Sequence, residues 1–428
     1  MTRRNQPHRD RHAPRARIPA VNTATSLGTP APDSARDRLV DHLISQGAIR
    51  SPGIEAAFRS VPRHRFLPGV SIADAYADQI VVTKRDQAGA ALSSASQPAI
   101  MAMMLEQAQP EHGQRVLEIG AGTGYNAALV HELVGPHGQV TTIDVFPDVA
   151  AEARRNLTET GYGDIHVLTG DGALGAPDRA PFDLIIVTAG AWDIPAPWWD
   201  QLAPEGRIVV PLRWRGLTRS LLLDHEPATP IRPAQLTTRS MQLCGFIAMT
   251  GTSDGGRTIT LADDVTLFTD QDQPITTNAL HGVLDQARTE AWSGIIIPGD
   301  QSMEGIWLRM SVAEPGTCRI KAEATAVHSG RATPATPVNP ALAEHDSLAY
   351  LTSRRATDGP PSRWEIGAIG HGPRGAELAE RITQHTRDWR AAPDAQPHIT
   401  IHPADTPDEH LPAGLHIVKH DSHMVFTW

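Results

Sequence analysis

The sequence predicts a doubly wound α/β fold with a mostly parallel sheet, followed by a C-terminal α+β domain. Strand-like and helix-like segments alternate from Arg115 onward, as such a sheet requires. Residues 182–187 form an apolar run of strand length, which is typical of the buried centre of a parallel sheet. Strands are predicted at 115–119, 140–143, 165–168, 182–187 and 207–212, with helices after Tyr125, at 147–160 and at 198–202.

Length and composition divide the chain into three parts. Its 428 residues exceed what one compact domain usually needs. Residues 1–33 are rich in Arg, Pro and Ala without apolar periodicity, which predicts a disordered tail. An N-cap at Asp33 or Ser34 then begins the first helix of an α/β domain at 34–250. A glycine-rich linker at 251–256 leads to the α+β domain at 257–428.

The elements of the second domain are predicted from local periodicity. Its function is open at this point between structural support and an added recognition surface. The predicted strands are 258–261, 347–352, 364–369, 398–402 and 424–428, with alternating apolar positions at 306–310 and helices at 278–292 and 376–390.

Charge and composition exclude several kinds of protein. The formal net charge of −10 argues against a surface that grips nucleic acid through its phosphates. No apolar run approaches the roughly 20 residues of a membrane span. Cys244 and Cys318 are the only cysteines, and neither has metal-ligand spacing. We therefore expect a cytoplasmic protein without a structural metal, and neither nucleic acid nor membrane as partner.

A glycine-rich turn follows the first predicted strand. Residues 118–124 read EIGAGTG, so Gly120, Gly122 and Gly124 allow a tight turn and a close approach of a ligand to the backbone. A nicotinamide-binding turn would place its third glycine one position later, where this chain has Tyr125. Glu118, at the end of the strand, favours a cationic ligand.

Two further acids follow the next strands. Asp144 ends the second strand, where a carboxylate can accept both hydroxyls of a ribose. Asp171 lies between Gly170 and Gly172 after the third strand and can accept the amine of adenine. Each acid alone is more often a turn former. Three acids on three successive strand ends are a much rarer coincidence and predict a nucleoside site.

These motifs resemble those of protein-L-isoaspartate O-methyltransferases over about residues 35–250. The resemblance is carried by 116–125, 170–172 and 181–189. It implies a Rossmann-like class I methyltransferase with S-adenosyl-L-methionine as cofactor. The donor-binding residues that it implies are Glu118, Gly120, Gly122, Gly124, Asp144, Asp171, Gly172 and Thr188.

The segment at 92–98, LSSASQP, is similar to the family's Thr-Ile-Ser-Gln-Pro. The resemblance implies that Ser96 lies where the substrate carboxylate meets the donor, and that Ser94 helps to hold the peptide. These two serines are the candidate catalytic residues. Ser94 and Ala95 depart from the family's Thr and Ile, so the wall around the hydroxyls is smaller. Small residues before a proline also commonly begin a helix, but the position ahead of the glycine loop favours the functional interpretation.

The implied chemistry needs little from side chains. A carboxylate is already ionised at neutral pH, and the sulfonium of the donor is a strong electrophile, so no general base is required. A basic stretch with irregular periodicity, 62–85, precedes this segment. It either contributes to the site or forms a surface loop.

The long C-terminal part and residues 82–85, VTKR, resemble a subgroup associated with lanthipeptide and other modified ribosomal peptide pathways. Our hypothesis is an enzyme that methylates an Asp of such a precursor peptide, leading to succinimide and isoaspartate. General repair of isoaspartate in damaged proteins is an alternative. A non-catalytic scaffold that binds donor or peptide is another, against which the intact Glu118, Asp144 and Asp171 argue.

Overall fold

The computed structural model describes residues 31–230, 232–251, 255–357 and 362–428. Most of the tail predicted at 1–33 lies outside these residues. The first helix begins at Pro32, with Ala31 as N-cap, and not after an N-cap at Asp33 or Ser34. Proline is well suited to the first turn of a helix because its missing N–H needs no partner there. No helix in the described parts of the chain is long and apolar enough to span a bilayer.

Short helices and a hairpin precede the main sheet in the chain. The hairpin strands β1 and β2 pair antiparallel, with Val82 opposite Ser94. Proline begins the helix after the hairpin at Pro98. These elements are α1 (Pro32–Ser45), α2 (Pro52–Ser60), a 3₁₀ turn (Arg63–Phe66), α3 (Ile72–Ala75), β1 (Val81–Arg85), β2 (Ala91–Ala95) and α4 (Pro98–Ala108).

The main sheet confirms the predicted doubly wound α/β fold. Its elements are β3 (Arg115–Ile119), α5 (Tyr125–Val134), β4 (Gln139–Asp144), α6 (Pro147–Thr160), β5 (His166–Thr169), β6 (Phe182–Val187), α7 (Ala196–Gln201), β7 (Leu202–Trp214), β8 (Leu217–Glu226) and β9 (Gln235–Leu243). Strands β3 to β7 pair in parallel, in the order β7-β6-β3-β4-β5. The carboxyl ends of β3, β4 and β6 therefore meet at one edge of the sheet.

A second sheet of seven antiparallel strands has the order β10-β11-β13-β14-β15-β16-β12. Its elements are β10 (Gly256–Ala262), β11 (Val265–Asp270), β12 (Arg288–Pro298), α8 (Glu304–Ala313), β13 (Thr317–Ala322), α9 (Ala324–Ser329), β14 (Val338–Glu344), β15 (Ser347–Arg355), β16 (Arg363–His371) and α10 (Gly375–Ala391). The prediction of a helix at 278–292 is wrong, because the end of this segment pairs with β16 as β12. The alternating residues at 306–310 are helical in the structure. Buried side chains, most of them apolar, lie on most sides of α8.

The last three strands return to the main sheet. They are β17 (His398–Pro403), β18 (Leu415–Val418) and β19 (Ser422–Thr427). Thr400 and Ile401 of β17 pair with Thr237 and Leu236 of β9, which extends the main sheet to ten strands. The predicted domain at 257–428 is therefore divided in the structure, because its last strands complete the sheet that carries the glycine-rich turn.

Candidate active site

The glycine-rich turn connects β3 to α5 in a conformation that only glycine adopts readily. Gly120 has φ +103° and Gly124, the N-cap of α5, has φ +88°. The side chain of Thr188, just after β6, donates to the carbonyl oxygen of Gly120 at 2.7 Å. A Cβ at Gly120 would lie 2.5 Å from Thr188 Oγ1. The turn thus needs glycine for its backbone angle and for its contact with β6.

Glu118 is completely buried at the end of β3. Its carboxylate accepts hydrogen bonds from Thr142 Oγ1 at 2.6 Å and from Asn126 Nδ2 at 2.8 Å. Burial raises the pKa of Glu118 to about 7 despite these bonds, because the charged form loses its hydration. No salt bridge reaches Glu118 from the residues that the structure describes, so a cationic ligand in the adjoining cavity would supply its countercharge.

We expect binding of the cationic donor to strengthen as the pH rises through 7. Glu118 loses its proton in that range, and only the ionised carboxylate attracts a sulfonium. S-adenosylhomocysteine, which has no sulfonium charge, should show a much weaker pH dependence. Isothermal titration of both ligands between pH 6 and 8.5 checks this, with the Glu118→Gln variant as control. Equal slopes for the two ligands in the wild type would contradict it.

The raised pKa of Glu118 also affects the stability of the ligand-free protein, which changes with pH in the opposite direction to donor binding. The folded state binds the Glu118 proton more tightly than the unfolded chain does, so this group's contribution to stability is present at low pH and is lost as the pH rises from about 4.5 to 7. The ionised form of this carboxyl group thus favours donor binding, and its protonated form favours folding.

Asp144 lies at the end of β4 and binds two backbone groups. Its two oxygens accept from the N–H of Gly122 at 3.0 Å and from the N–H of Phe146 at 3.1 Å. Burial raises the pKa of this carboxyl above its usual range. The bonds hold the glycine-rich turn against the next strand end, and the side chain lines the same cavity as Glu118.

The third acid has a different position. Asp171 accepts the N–H of Ala173 at 2.9 Å, so its side chain caps the 3₁₀ turn that follows β5. Gly172 forms part of the cavity wall. A Cβ at Gly172 would lie 2.5 Å from Cγ2 of Ile119. Glycine at this position therefore leaves room for the end of β3.

One cavity of about 640 Å³ connects most of the predicted site. Gly124 and Asp171 adjoin it through the start of α5 and the 3₁₀ turn after β5. The predicted residues that line it are Ser94, Ser96, Glu118, Gly120, Gly122, Asp144, Gly172 and Thr188. Ser94 of β2, Ser96 just after it and the glycine-rich turn thus face one shared space, as a donor and an acceptor of a transferred group require.

One part of the cavity wall was not predicted, and a second was predicted only as one of two alternatives. Residues 245–250 line the cavity, and Gly190 holds this segment because its N–H donates to Ile247 O at 2.8 Å while its carbonyl accepts from Met249 N at 2.9 Å. Arg63, in the basic stretch at 62–85, lies behind Ser96 and is fully buried. A buried arginine in an irregular stretch gives no periodic signal in the sequence.

The residues present suit S-adenosyl-L-methionine. Two buried acids, Glu118 and Asp144, offer charge complementary to a cationic ligand, and the glycines leave space where side chains would fill the cavity. The volume lies within the range of roughly 300–1,000 Å³ that is usual for small-molecule sites. We infer from this geometry that the acids and the glycine-rich turn would hold the donor.

Comparison with known proteins shows the family of the chain. Residues 34–247 match the family described as Protein-L-isoaspartate(D-aspartate) O-methyltransferase (PCMT). A protein-L-isoaspartate O-methyltransferase of Methanopyrus kandleri is 41% identical over 218 residues, which are 92% of that protein and 51% of this chain. The chain belongs to the protein-L-isoaspartate O-methyltransferase family. A second member, protein-L-isoaspartate O-methyltransferase 2 of Anaeromyxobacter, is 39% identical over 205 residues, or 81% of its length and 48% of this chain.

A solved structure of a protein-L-isoaspartate O-methyltransferase aligns with 91% of this chain and 98% of its own, at 21% identity and a TM-score of 0.48. The predicted enzyme class and cofactor are confirmed: the protein is an S-adenosylmethionine-dependent methyltransferase of the isoaspartate family. The region matched to the family ends at residue 247. The whole seven-stranded sheet and β17 to β19 therefore lie outside it.

Proposed function

We propose that this methyltransferase acts on the side-chain carboxylate of an Asp in a ribosomally made, modified precursor peptide, and that the ester leads to succinimide and isoaspartate. The cavity supports carboxyl methylation, because it joins two acids suited to a cationic donor with two serine hydroxyls suited to an anionic acceptor. The single observation that supports a specialised peptide is the C-terminal half, whose strands β17 to β19 extend the catalytic sheet.

Each site residue has a defined part in this proposal. Glu118 and Asp144 hold the donor, with the glycine-rich turn and Thr188 shaping its space. Ser96 orients the substrate carboxylate, and Ser94 helps to hold the peptide. S-adenosylmethionine, when bound, supplies an electrophilic methyl group. The protein's contribution is alignment of the carboxylate oxygen, an effect worth up to roughly 7–11 kcal/mol in well-oriented reactions.

The ester changes the chemistry of the peptide itself. The backbone nitrogen that follows the methylated residue attacks the ester carbonyl, loses its proton, and methanol leaves, so that a five-membered succinimide forms. Water then opens either carbonyl and gives aspartate or isoaspartate. The direction of the overall change depends on which isomer is methylated, so peptide recognition decides between tailoring and repair.

General repair of isoaspartyl proteins is the second candidate. The names of the relatives from Methanopyrus kandleri and Anaeromyxobacter favour it, because both are protein-L-isoaspartate O-methyltransferases. The narrower side chains at Ser94 and Ala95, compared with the family's Thr and Ile, favour a different substrate. The third hypothesis, a scaffold without catalysis, predicts donor binding with no methyl transfer.

One experiment separates these candidates. The purified enzyme is given S-adenosylmethionine and matched peptides that contain either Asp or isoaspartate, together with any precursor peptide encoded beside its gene. Mass spectrometry follows the methyl ester and the dehydrated product. Methylation and dehydration of one Asp in one precursor would support tailoring. Methylation of isoaspartate in unrelated peptides, with Asp unchanged, would show repair, and donor binding without transfer to any peptide would show a scaffold.

The role of Ser96 predicts a specific kinetic change. We expect Ser96→Ala to lower kcat/KM for the peptide roughly 10- to 100-fold, because a misplaced acceptor loses alignment. The Kd of S-adenosylmethionine, measured by titration, should stay within about twofold. Ser45→Ala, at an exposed serine that donates to His42 O, serves as control. An unchanged kcat/KM for Ser96→Ala would remove Ser96 from the site.

A further inference from the structure

Arg63 is a buried cation beside the acceptor side of the cavity. It begins the 3₁₀ turn Arg63–Phe66 and has no exposed surface. Its Nη2 donates to the carbonyl oxygen of Ser96 at 2.9 Å, and its Nε donates to Ala75 O at 3.0 Å. The guanidinium also lies 5.1 Å from the ring centroid of Tyr125.

These contacts leave the positive charge of Arg63 without a direct counterion. Among the residues that the structure describes, its hydrogen-bond partners are two carbonyl oxygens and the sulfur of Met101. An arginine keeps its charge in proteins, and a buried charge without an ion pair is costly. Asp78 attracts this charge but forms no salt bridge with it among the described residues, so the charge is available to act on a ligand in the cavity.

The cavity gives that explanation, because its two acids create a problem for an anionic substrate. Glu118 and Asp144 favour a cationic donor, but the same charges repel the carboxylate that must approach it. A fixed positive charge behind Ser96 offsets this repulsion on the acceptor side. Electrostatic interactions of this kind are strong where water is excluded.

We propose that Arg63 is a positioning residue that draws the substrate carboxylate to Ser96 and sets the charge preference of the cavity. Its bond to Ser96 O fixes the backbone of the acceptor site, and its field acts on the bound anion. The same field opposes the sulfonium of S-adenosylmethionine more than the neutral sulfur of S-adenosylhomocysteine. This inference rests on the acceptor site proposed at Ser96 and adds the residue that gives that site its charge preference.

The charge of Arg63 makes a prediction that a purely structural role does not. We expect Arg63→Met to raise the KM of a carboxylate-bearing peptide about tenfold or more, because a charged partner is lost. The affinity ratio of S-adenosylmethionine to S-adenosylhomocysteine should shift about threefold or more toward the cationic donor. Arg63→Lys keeps the charge and should leave this ratio near that of the wild type, even where the altered hydrogen bonds raise KM.

Arg207, which lies outside the cavity lining and is also paired with Glu111 at 3.8 Å, provides a control. It donates to the carbonyl oxygens of Ala108 at 2.9 Å and Gln109 at 2.7 Å, at the end of α4. Arg207→Met should lower thermal stability while KM and the ligand ratio stay unchanged. The proposed role is wrong if Arg63→Met changes the affinities for S-adenosylmethionine and S-adenosylhomocysteine by the same factor. It is also wrong if this variant leaves the peptide KM unchanged.

The ligand ratio is measured by calorimetry on the full chain without any peptide. It therefore tests Arg63 independently of whether the substrate carries Asp or isoaspartate. A shifted ratio together with methylation of isoaspartate alone would support Arg63 and overturn the tailoring proposal. An unshifted ratio together with methylation and dehydration of an Asp in a precursor peptide would overturn the role of Arg63 and support the tailoring proposal.

Discussion

Gly120→Ala is expected to reduce methyl transfer about 100-fold or more, because alignment of the two substrates depends on the shape of the turn. The new Cβ would lie 2.5 Å from Thr188 Oγ1, and φ at this position is +103°. Either the turn moves into the donor space or Thr188 gives up its bond to Gly120 O. We also expect a loss of roughly 2–4 kcal/mol in the free energy of unfolding, from strain and overpacking together. A methyl-transfer assay and urea unfolding measure the two effects, and donor titration shows whether the donor site has changed.

The chain contains a control for the backbone angle. Gly113 has φ +85° with nothing within 4 Å of an added Cβ. Gly113→Ala should therefore cost stability through backbone strain alone and leave the donor Kd unchanged. The double variant Gly120→Ala/Thr188→Ala removes the clashing hydroxyl and should recover part of the donor affinity. Normal donor binding by Gly120→Ala would show that the turn does not shape the donor site.

The donor side of the cavity could be predicted because its signals are local. Gly120, Asp144 and Thr188 each lie at or just after the end of a strand, and parallel strands bring those ends to one edge. Asp171 shows the limit of this reasoning. Its position after β5 is as predicted, but its side chain binds Ala173 N, a local capping bond that spacing alone does not distinguish from ligand binding.

The acceptor side depends on contacts that are distant in sequence. Arg63 meets Ser96 across 33 positions, and Gly190 meets Ile247 through a backbone bond outside any named strand. Residues 306–310 show a different difficulty. A short segment with apolar residues on most sides fits both a strand and a buried helix, so its periodicity does not decide between them.

No local pattern in the sequence predicts that β17 to β19 return to the main sheet. These strands nevertheless contact a loop that supports the site. The turn between β18 and β19 contains Lys419, whose Nζ donates to the carbonyl oxygens of Trp192 and Arg213. In the same turn the N–H of Asp421 donates to Asp193 at 2.7 Å. These bonds hold the loop after β6, and Gly190 of that loop holds the cavity segment at 247–249. The C-terminal strands thus support the cavity wall from behind.

Lys419→Met is expected to lower the free energy of unfolding by roughly 1.5–3 kcal/mol, because two buried carbonyl oxygens lose hydrogen bonds from a charged donor. Lys419 is 6% exposed, and its loss would leave one carbonyl oxygen in the loop after β6 and one in β7 without this donor. Because its contacts lead to the loop after β6, donor affinity should fall as well. Lys321→Met provides a matched control, since Lys321 is a largely exposed lysine paired with Glu323 at 2.7 Å.

The pH dependence of this variant distinguishes a buried ammonium from a generic packing defect. Burial lowers the pKa of Lys419 to about 8 from an ordinary value of 10.5. Between these values the unfolded chain holds the proton and the folded protein does not, so the wild type gains stability as the pH rises. The difference in the free energy of unfolding between wild type and Lys419→Met should therefore widen by roughly 2 kcal/mol between pH 8 and 9.5. Urea unfolding at the two pH values measures it, and a constant difference would mean that Lys419 stabilises the turn through packing alone.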